Sequence, residues 1–532
     1  MGRLEPRPAR TTTPATEVEG PPSLARRSAR VVLLLVPAAG LLAPIWTVHS
    51  PPLADYPNHL ASAFVLAHLK DPAFHLSQFY RANWNTYPYL TMDAILLGLE
   101  HLMPIELAGR VLLSLSVLSV PAAAWFFLRY ANPGEESLAF WSLLVSNNLF
   151  FFLFGFLNLQ LSLALCLVTV GLWLRYLERP RWAACAVLLL MTTALYFTHL
   201  AGFAVAGVVM AAYALLARRP VRDLLLAALL FIPGTLFYLH ATWGLTSHSA
   251  MYFRTFADKA GGLVAVMVGY SPALDFMTLL VIVASLAWAR AGNPDFKWNP
   301  RWLGAAGFLF FLYWLLPAVY RAANVDKRFL PFVFVFALAG AKVGRRGRRL
   351  AAVAVLLFLI RAGGLERHFI SLQPHLAELS RSFSTIPEGA RVLPVVDWSQ
   401  PATMAERHFW AYGVIERGWY SPCLFHDPGV HPLAVRPHAY DPCGQAGTPT
   451  TLLDWERVRR DFDYVWAYGV PQYSSALSSV GTLVFREGDL EVFRMRKPGD
   501  TGLRDYHGLG ADDSASAADT TEEDERPQRT LA

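Results

Sequence analysis

Residues 31–64 read VVLLLVPAAGLLAPIWTVHSPPLADYPNHLASAF. The part over 31–49 holds no Asp, Glu, Lys or Arg. It is long enough to cross a bilayer as a helix, which takes about 20 residues. Arg26, Arg27 and Arg30 precede it, and no small-residue cleavage site stands out. It therefore reads as a signal anchor that stays in place rather than a removed leader. A carboxylate, Asp55, follows a few residues beyond the apolar run. Tyr56, Pro57, Asn58 and His59 come next, and a second apolar run begins there.

The rest of the chain extends this reading. Of 532 residues, 54% are apolar, 13% aromatic and only 16% charged, against about 25% charged in ordinary soluble domains. Scarce, unevenly placed charge excludes a disordered chain, a coiled coil and an ordinary cytosolic enzyme. The 36 Gly and 36 Pro follow no three-residue period, which excludes collagen. The expected fold class is an α-helical polytopic membrane protein with a small C-terminal α/β extracytoplasmic domain. The net charge of +6 sits in short basic runs between apolar segments, the habit of cytoplasmic loops. No zinc spacing or RNA-binding signature is present, so no nucleic-acid partner is expected.

Eleven segments read as spans: 31–49, 105–128, 138–154, 159–176, 182–198, 199–217, 222–241, 273–290, 302–320, 329–343 and 349–364. An odd number places the N-terminus in the cytoplasm and the C-terminus outside. The loops assigned inside carry fifteen Lys and Arg, with KVGRRGRR (342–349) the densest. Those assigned outside among the spans carry eight over far more residues, as the positive-inside rule requires. Residues 89–103 are apolar but short and contain Asp93, Glu100 and His101. Reading them as a span would put KVGRRGRR outside, so they read as a helix lying in the outer interface. The organisation expected is a disordered cytoplasmic tail over 1–29 and a membrane domain over 30–365. That domain has large outer loops at 50–104 and 242–272. An outer α/β domain over 366–499 and a disordered acidic tail over 500–532 complete the chain.

Within the outer domain, ARVLPVV (390–396) and DYVWAYG (463–469) read as buried strands. PATMAERHFWAYG (401–413) and TLLDWERVRRDF (451–462) read as helices. LVFREGDLEVFRM (483–495) reads as a hairpin around Glu487-Gly488-Asp489. Cys423 and Cys443 lie in its polar loop, where a pair suggests a disulfide and an oxidising compartment. The alternative is two free thiols. Closing a loop of that size contributes roughly 3 kcal/mol in the chain-entropy model. Cys166 and Cys185 lie inside apolar spans and read as inert packing residues.

Asp55 carries the chemistry. A carboxylate at the outer bilayer edge, near a helix N-terminus, is expected to be held ionised by the helix dipole. It can then take a proton from a hydroxyl or hold a metal ion. Transfer from a lipid phosphate needs cations where charge develops on the leaving group, and Arg grips phosphate bidentately. The outer candidates are Arg254 and Lys259 in the second loop, then Arg321, Lys327 and Arg328 before the tenth span, with Arg81 in the first loop as a further option. Anchoring in lipid headgroups is the alternative role for such residues. Tyr56 and His59 adjoin Asp55, and His59 can orient it, bind the acceptor or simply pack. His199, in FTHLAG (197–202), is either functional at membrane depth or a turn histidine. Trp84, in a patch with Asn83, Asn85 and Tyr87, suits a sugar face or an interfacial belt equally. Asp71 and Asp93 are candidates for a second acidic partner.

In layout the sequence resembles the GT-C superfamily of membrane glycosyltransferases. DYPNHLA, with Asp55, is similar to the D-x-P-x-H form of bacterial members. GFLNLQLSLAL (155–165), FTHLAG and DKRFLPF (326–332) resemble stretches at similar places in them. The resemblance is to polyprenyl-phosphate-sugar-dependent members of the protein-mannosyltransferase and aminoarabinose-transferase kind. WWDYG, typical of oligosaccharyltransferases, is absent. The resemblance implies a polyprenyl-phosphate-linked sugar as donor, inverting transfer on the outer face, and Asp55 as general base. It implies a bilayer of the bacterial cytoplasmic membrane and a glycan, lipid or protein acceptor left open. A divalent cation is neither required nor excluded. The competing readings are a transporter or flippase of lipid-linked saccharides and a non-catalytic envelope scaffold. Against the first, no internal repeat is visible.

Overall fold

The computed structural model describes residues 24–147, 150–243, 251–265, 269–320, 323–397, 405–426, 429–443 and 453–497. These residues are mostly helical. Four helices are long and apolar enough to cross a membrane by length and composition: Ile105–Ala131, Leu157–Glu178, Val221–Thr242 and Pro272–Arg290. Trp182–Thr198 and Leu200–Leu216 are as apolar and shorter, at 17 residues each.

Three segments depart from the expected spans. Over 138–154 the backbone is a 3-10 helix, Glu136–Val145, followed by a four-residue turn of α-helix, Phe150–Leu153. The polar side chains of Ser146 and Asn147 fall in the middle and offer the backbone local partners in place of helix bonds. Both are fully buried. In 329–343 the helix Leu330–Leu338 has nine residues. It rises about 14 Å, well short of a ~30 Å hydrocarbon layer. The last helix, Gly347–Arg381, runs 35 residues without a break. It passes residue 365 and carries its last turns into the C-terminal region, where Leu376 and Leu379 are buried.

The stretch 89–103 forms the helix Leu90–Glu100, eleven residues long and too short to cross. It packs against Tyr56–His68 and Ile105–Ala131. The helix Val221–Leu230 continues after Phe231 as Ile232–Thr242.

Loop contacts sort the connecting segments onto two ends. Lys297–Trp298 pairs with Ala341–Lys342, and the Glu135 carboxylate accepts from Val343 N and Gly344 N. Arg346 donates to Ala291 O. These loops share one end, and all were assigned inside. At the other end, Tyr80–Ala82 of the first large loop pairs with Leu433–Val435. Tyr252 bridges Val319, and Thr86 bonds to Phe237 O.

The C-terminal region holds a four-stranded sheet. Val392–Val396 runs parallel to Tyr464–Tyr468, which pairs antiparallel with Leu490–Met495, itself in a hairpin with Gly481–Glu487. Every residue of Val392–Val396 is buried, as expected of a β-branched apolar run covered on both faces. A helix expected over 401–413 is found later, at Ala411–Arg417; residues 401–404 lie outside the described set. The helix Trp455–Asp461 is capped by Asp454, whose side chain accepts from Glu456 N and Arg457 N. Cys423 and Cys443 are disulfide-bonded, with Cα atoms 5.3 Å apart.

Candidate functional site

Asp55 stands where the C-terminal end of the first helix, Leu24–Trp46, meets the turn Phe150–Phe156. Ala54 N donates to Leu153 O at 3.0 Å and Asp55 N to Phe154 O at 2.9 Å. The turn can lie this close because Gly155 has φ +80° and no side chain. A Cβ there would come within 2.9 Å of Tyr56 N. Asp55 then starts the helix Tyr56–His68, with Pro57 in its first turn, where a missing N–H costs nothing. The carboxylate makes no capping bond to that helix. It faces other groups instead, with 15% of the side chain exposed.

Those groups are cationic or imidazole. Arg328 and Arg407 both act electrostatically on Asp55, and His408 Nε2 lies 3.6 Å from its Oδ1. The expectation of a firmly ionised carboxylate is corrected here. Burial raises the Asp55 pKa to about 7, and the two arginines offset only part of that rise. Loss of hydration outweighs a dipole whose effect is modest.

The phenylalanines of FFFLFGF (150–156) form a floor beneath the cations. The Arg328 guanidinium lies 4.9 Å from the Phe156 ring centroid, Arg407 5.7 Å from Phe154, and Lys327 Nζ 5.6 Å from Phe150. Such contacts hold cations at low hydration.

Arg328 also meets His199. Its Nη1 is 3.1 Å from His199 Nε2, and its Nη2 donates to Ala323 O. His199 caps the helix Leu200–Leu216, its Nδ1 accepting from Ala201 N at 3.0 Å. A neutral imidazole accepts at one nitrogen only. Ala201 N and Arg328 Nη1 thus compete for the one accepting nitrogen of the ring. Tyr89 completes the group. Its hydroxyl interacts electrostatically with Arg328, its ring stands edge-on to His199 at 4.6 Å, and its φ is +77°. Asn158 Nδ2 donates to Tyr89 O at 3.2 Å, holding that backbone in place. Strain in a non-glycine residue of this kind clusters at functional sites.

Other expected residues lie elsewhere. Arg254 and Lys259 are drawn to Asp326, which is fully buried. Arg254 Nη1 donates to Asp326 Oδ1 at 2.6 Å and Nη2 to Asn324 Oδ1 at 2.8 Å. Lys259 Nζ donates to the carbonyls of Tyr313, Trp314 and Leu316, closing the C-terminal end of the helix Pro300–Leu315. Burial lowers its pKa. Arg321 lies outside the described residues. Arg81 is exposed on the strand opposite Ala434, and Trp84 is 52% exposed. Tyr56 is buried. His59 packs its ring 4.9 Å from Phe425 and 6.1 Å from His431, where burial lowers its pKa to about 3. Asp93 is buried in the first turn of Leu90–Glu100, and burial raises its pKa to about 7. Among the described residues, no group of three or more His, Cys, Asp or Glu is placed to hold a metal ion.

Arg407 and His408 were not anticipated. The signal was present in ERHFW (406–410), a charged tripeptide beside a buried aromatic run, but it reads as an ordinary helix face. Asn58 was also passed over. Its amide donates to Cys423 O at 3.0 Å and accepts from Phe425 N at 2.8 Å. The DYPNH string thus places Asp55 between Arg328 and the C-terminal region's Arg407 and His408, and Asn58 against Cys423 and Phe425.

No family model matches the chain, and no curated protein matches it. Among solved structures, that of ArnT from Cupriavidus metallidurans in the apo state is similar at 13% identity and a TM-score of 0.41, covering 88% of this chain and 98% of that one. Likeness at this level leaves the family unassigned.

Proposed function

We propose that this chain is an integral-membrane glycosyltransferase of GT-C type. It transfers a sugar from a polyprenyl-phosphate donor to an acceptor hydroxyl on the extracytoplasmic face of a bacterial cytoplasmic membrane. The orientation proposed follows the basic loops: the end carrying KVGRRGRR inside, Asp55 and the C-terminal sheet outside. Asp55 takes the acceptor proton. The acceptor oxygen attacks the anomeric carbon, the bond from that carbon to the phosphate oxygen breaks, and polyprenyl phosphate leaves with the electron pair. Attack opposite the leaving group inverts the anomeric centre. Arg328 and Arg407 stabilise the charge that develops on the phosphate.

One observation carries this reading. The Asp55 carboxylate faces His408 Nε2 at 3.6 Å together with Arg328 and Arg407, and burial raises its pKa toward the range in which a general base works best. The buried Nε of Arg328, which has no hydrogen-bond partner among the described residues, supports it further, because a phosphate oxygen can accept from it. Lys327, beside Phe150, completes the cationic floor in this proposal.

The test uses purified protein in nanodiscs with a short-chain polyprenyl-phosphate sugar and an acceptor panel. Transfer with inversion, abolished in Asp55→Asn while donor binding persists, is the expected result. Movement of the lipid-linked sugar across the bilayer without cleavage would instead support a flippase. Neither cleavage nor movement would leave a scaffold.

A further inference from the structure

His408 comes from the far end of the chain and is 1% exposed at the side chain. Its two ring nitrogens have different neighbours. Nδ1 is 3.3 Å from Asn58 Nδ2, and Nε2 is 3.6 Å from Asp55 Oδ1. Which nitrogen bears the proton follows from the Asn58 amide, whose orientation is settled by backbone groups. Its oxygen accepts from Phe425 N, a group that can only donate. Its nitrogen donates to Cys423 O, a group that can only accept. Rotating the amide by half a turn would oppose donor to donor and acceptor to acceptor. The atom facing His408 Nδ1 is therefore an N–H, so Nδ1 accepts and the proton resides on Nε2.

We infer that His408 is a positioning residue for Asp55, its Nε2–H held toward the carboxylate because Asn58 fixes the opposite nitrogen as an acceptor. The inference rests on the reading of Asp55 as the base. At 3.6 Å the contact is longer than a formed hydrogen bond. Such contacts at reactive groups commonly tighten when substrate arrives. Asn58 and Asp55 share one helical turn, so the relay leaves that turn, passes through the C-terminal region and returns to it. The catalytic group is complete only when that region is docked. The ring stays neutral: burial, with Arg407 and His59 adding to it, keeps the His408 pKa well below its usual value. The groups acting on Asp55 are Arg328, Arg407 and His408, and a donor to the carboxylate favours its ionised form.

The test reads the Asp55 carboxyl directly and does not depend on sugar transfer. Infrared difference spectra of the full chain in nanodiscs, wild type minus Asp55→Asn, follow the protonated carboxyl band against pH. His408→Phe should raise the midpoint by about one unit, and His408→Gln, whose amide can donate again, should recover most of that shift. An unchanged midpoint in a folded His408→Phe protein overturns the inference. Should that variant not fold, nitrogen-15 histidine spectra of the wild-type protein decide. A proton on Nε2 of His408 is expected, and one on Nδ1 overturns the inference. A shifted midpoint in a protein that transfers no sugar would sink the enzymatic reading and leave the relay intact. An unshifted midpoint in an active enzyme would do the reverse.

Discussion

Arg328 Nη1 and His199 Nε2 stand 3.1 Å apart, and among the described residues the buried Nε of Arg328 has no hydrogen-bond partner. A buried donor left unmet costs free energy until an acceptor enters. That cost favours an anionic oxygen, which meets the donor with a charge-assisted bond.

Arg328→Lys should therefore not behave as a conservative change. A lysine carries the charge but cannot contact Tyr89, Ala323 and an anion together. Donor affinity should fall by about tenfold or more, the range expected when a charged hydrogen bond is lost. Isothermal titration with the polyprenyl-phosphate sugar measures it. Unchanged affinity would remove Arg328 from the donor site.

Asp55 should give transfer a rising pH limb near its raised pKa of about 7, since only the ionised form accepts a proton. Stability should run the other way. A folded-state pKa above the unfolded value favours the native state at low pH, and that contribution is lost as pH rises from about 4 through 7. Asp55→Asn should thus abolish transfer and raise the unfolding midpoint at pH 8. The difference should close toward pH 4. Thermal unfolding across pH in detergent is the measurement.

Gly155→Ala tests the ledge under Asp55. The position has φ +80° and a Cβ would press on Tyr56 N. Backbone strain of this kind costs roughly 1–3 kcal/mol, and the turn must move to relieve it. Transfer should drop at least tenfold, with donor affinity less affected because Arg328 comes from another segment. Normal kinetics would show that the ledge does not place the base.

Arg254 should prove structural. Arg254→Leu leaves Asp326, buried completely, with Lys259 Nζ 3.8 Å away as its remaining ion-pair partner among the described residues. Breaking a buried pair costs about 3–5 kcal/mol. A lowered unfolding midpoint with donor affinity unchanged is expected. Loss of donor affinity alone would return Arg254 to the site.

The pair Arg361–Asp275, at 2.7 Å and almost fully buried, ties Pro272–Arg290 to the last helix. The outer face of Pro272–Arg290 is otherwise exposed apolar surface, with Phe276, Leu280 and Val283 among it. Arg361→Met alone should destabilise the protein strongly. Arg361→Met with Asp275→Leu should recover most of the loss, because no charge is then left uncompensated. Unfolding midpoints of the two variants decide it.

Much of this protein is legible in its linear order. Apolar runs, their lengths and the basic loops between them identify a membrane chain and sort its loops into two groups, and contacts at each end keep those groups apart. Asp55 was legible for the same reason, as a carboxylate just past a span. Such features are local: hydropathy and charge act over a few neighbouring residues. What the three-dimensional fold alone decided is the company Asp55 keeps. Arg407 and His408 meet it across the length of the chain, while Arg254 and Lys259, equally cationic and nearer in sequence, are bound by Asp326. The ionisation of Asp55 was misjudged for a related reason. A helix dipole can be read from the residues around it, but desolvation depends on every segment that closes over a group, and burial is the largest influence on Asp55.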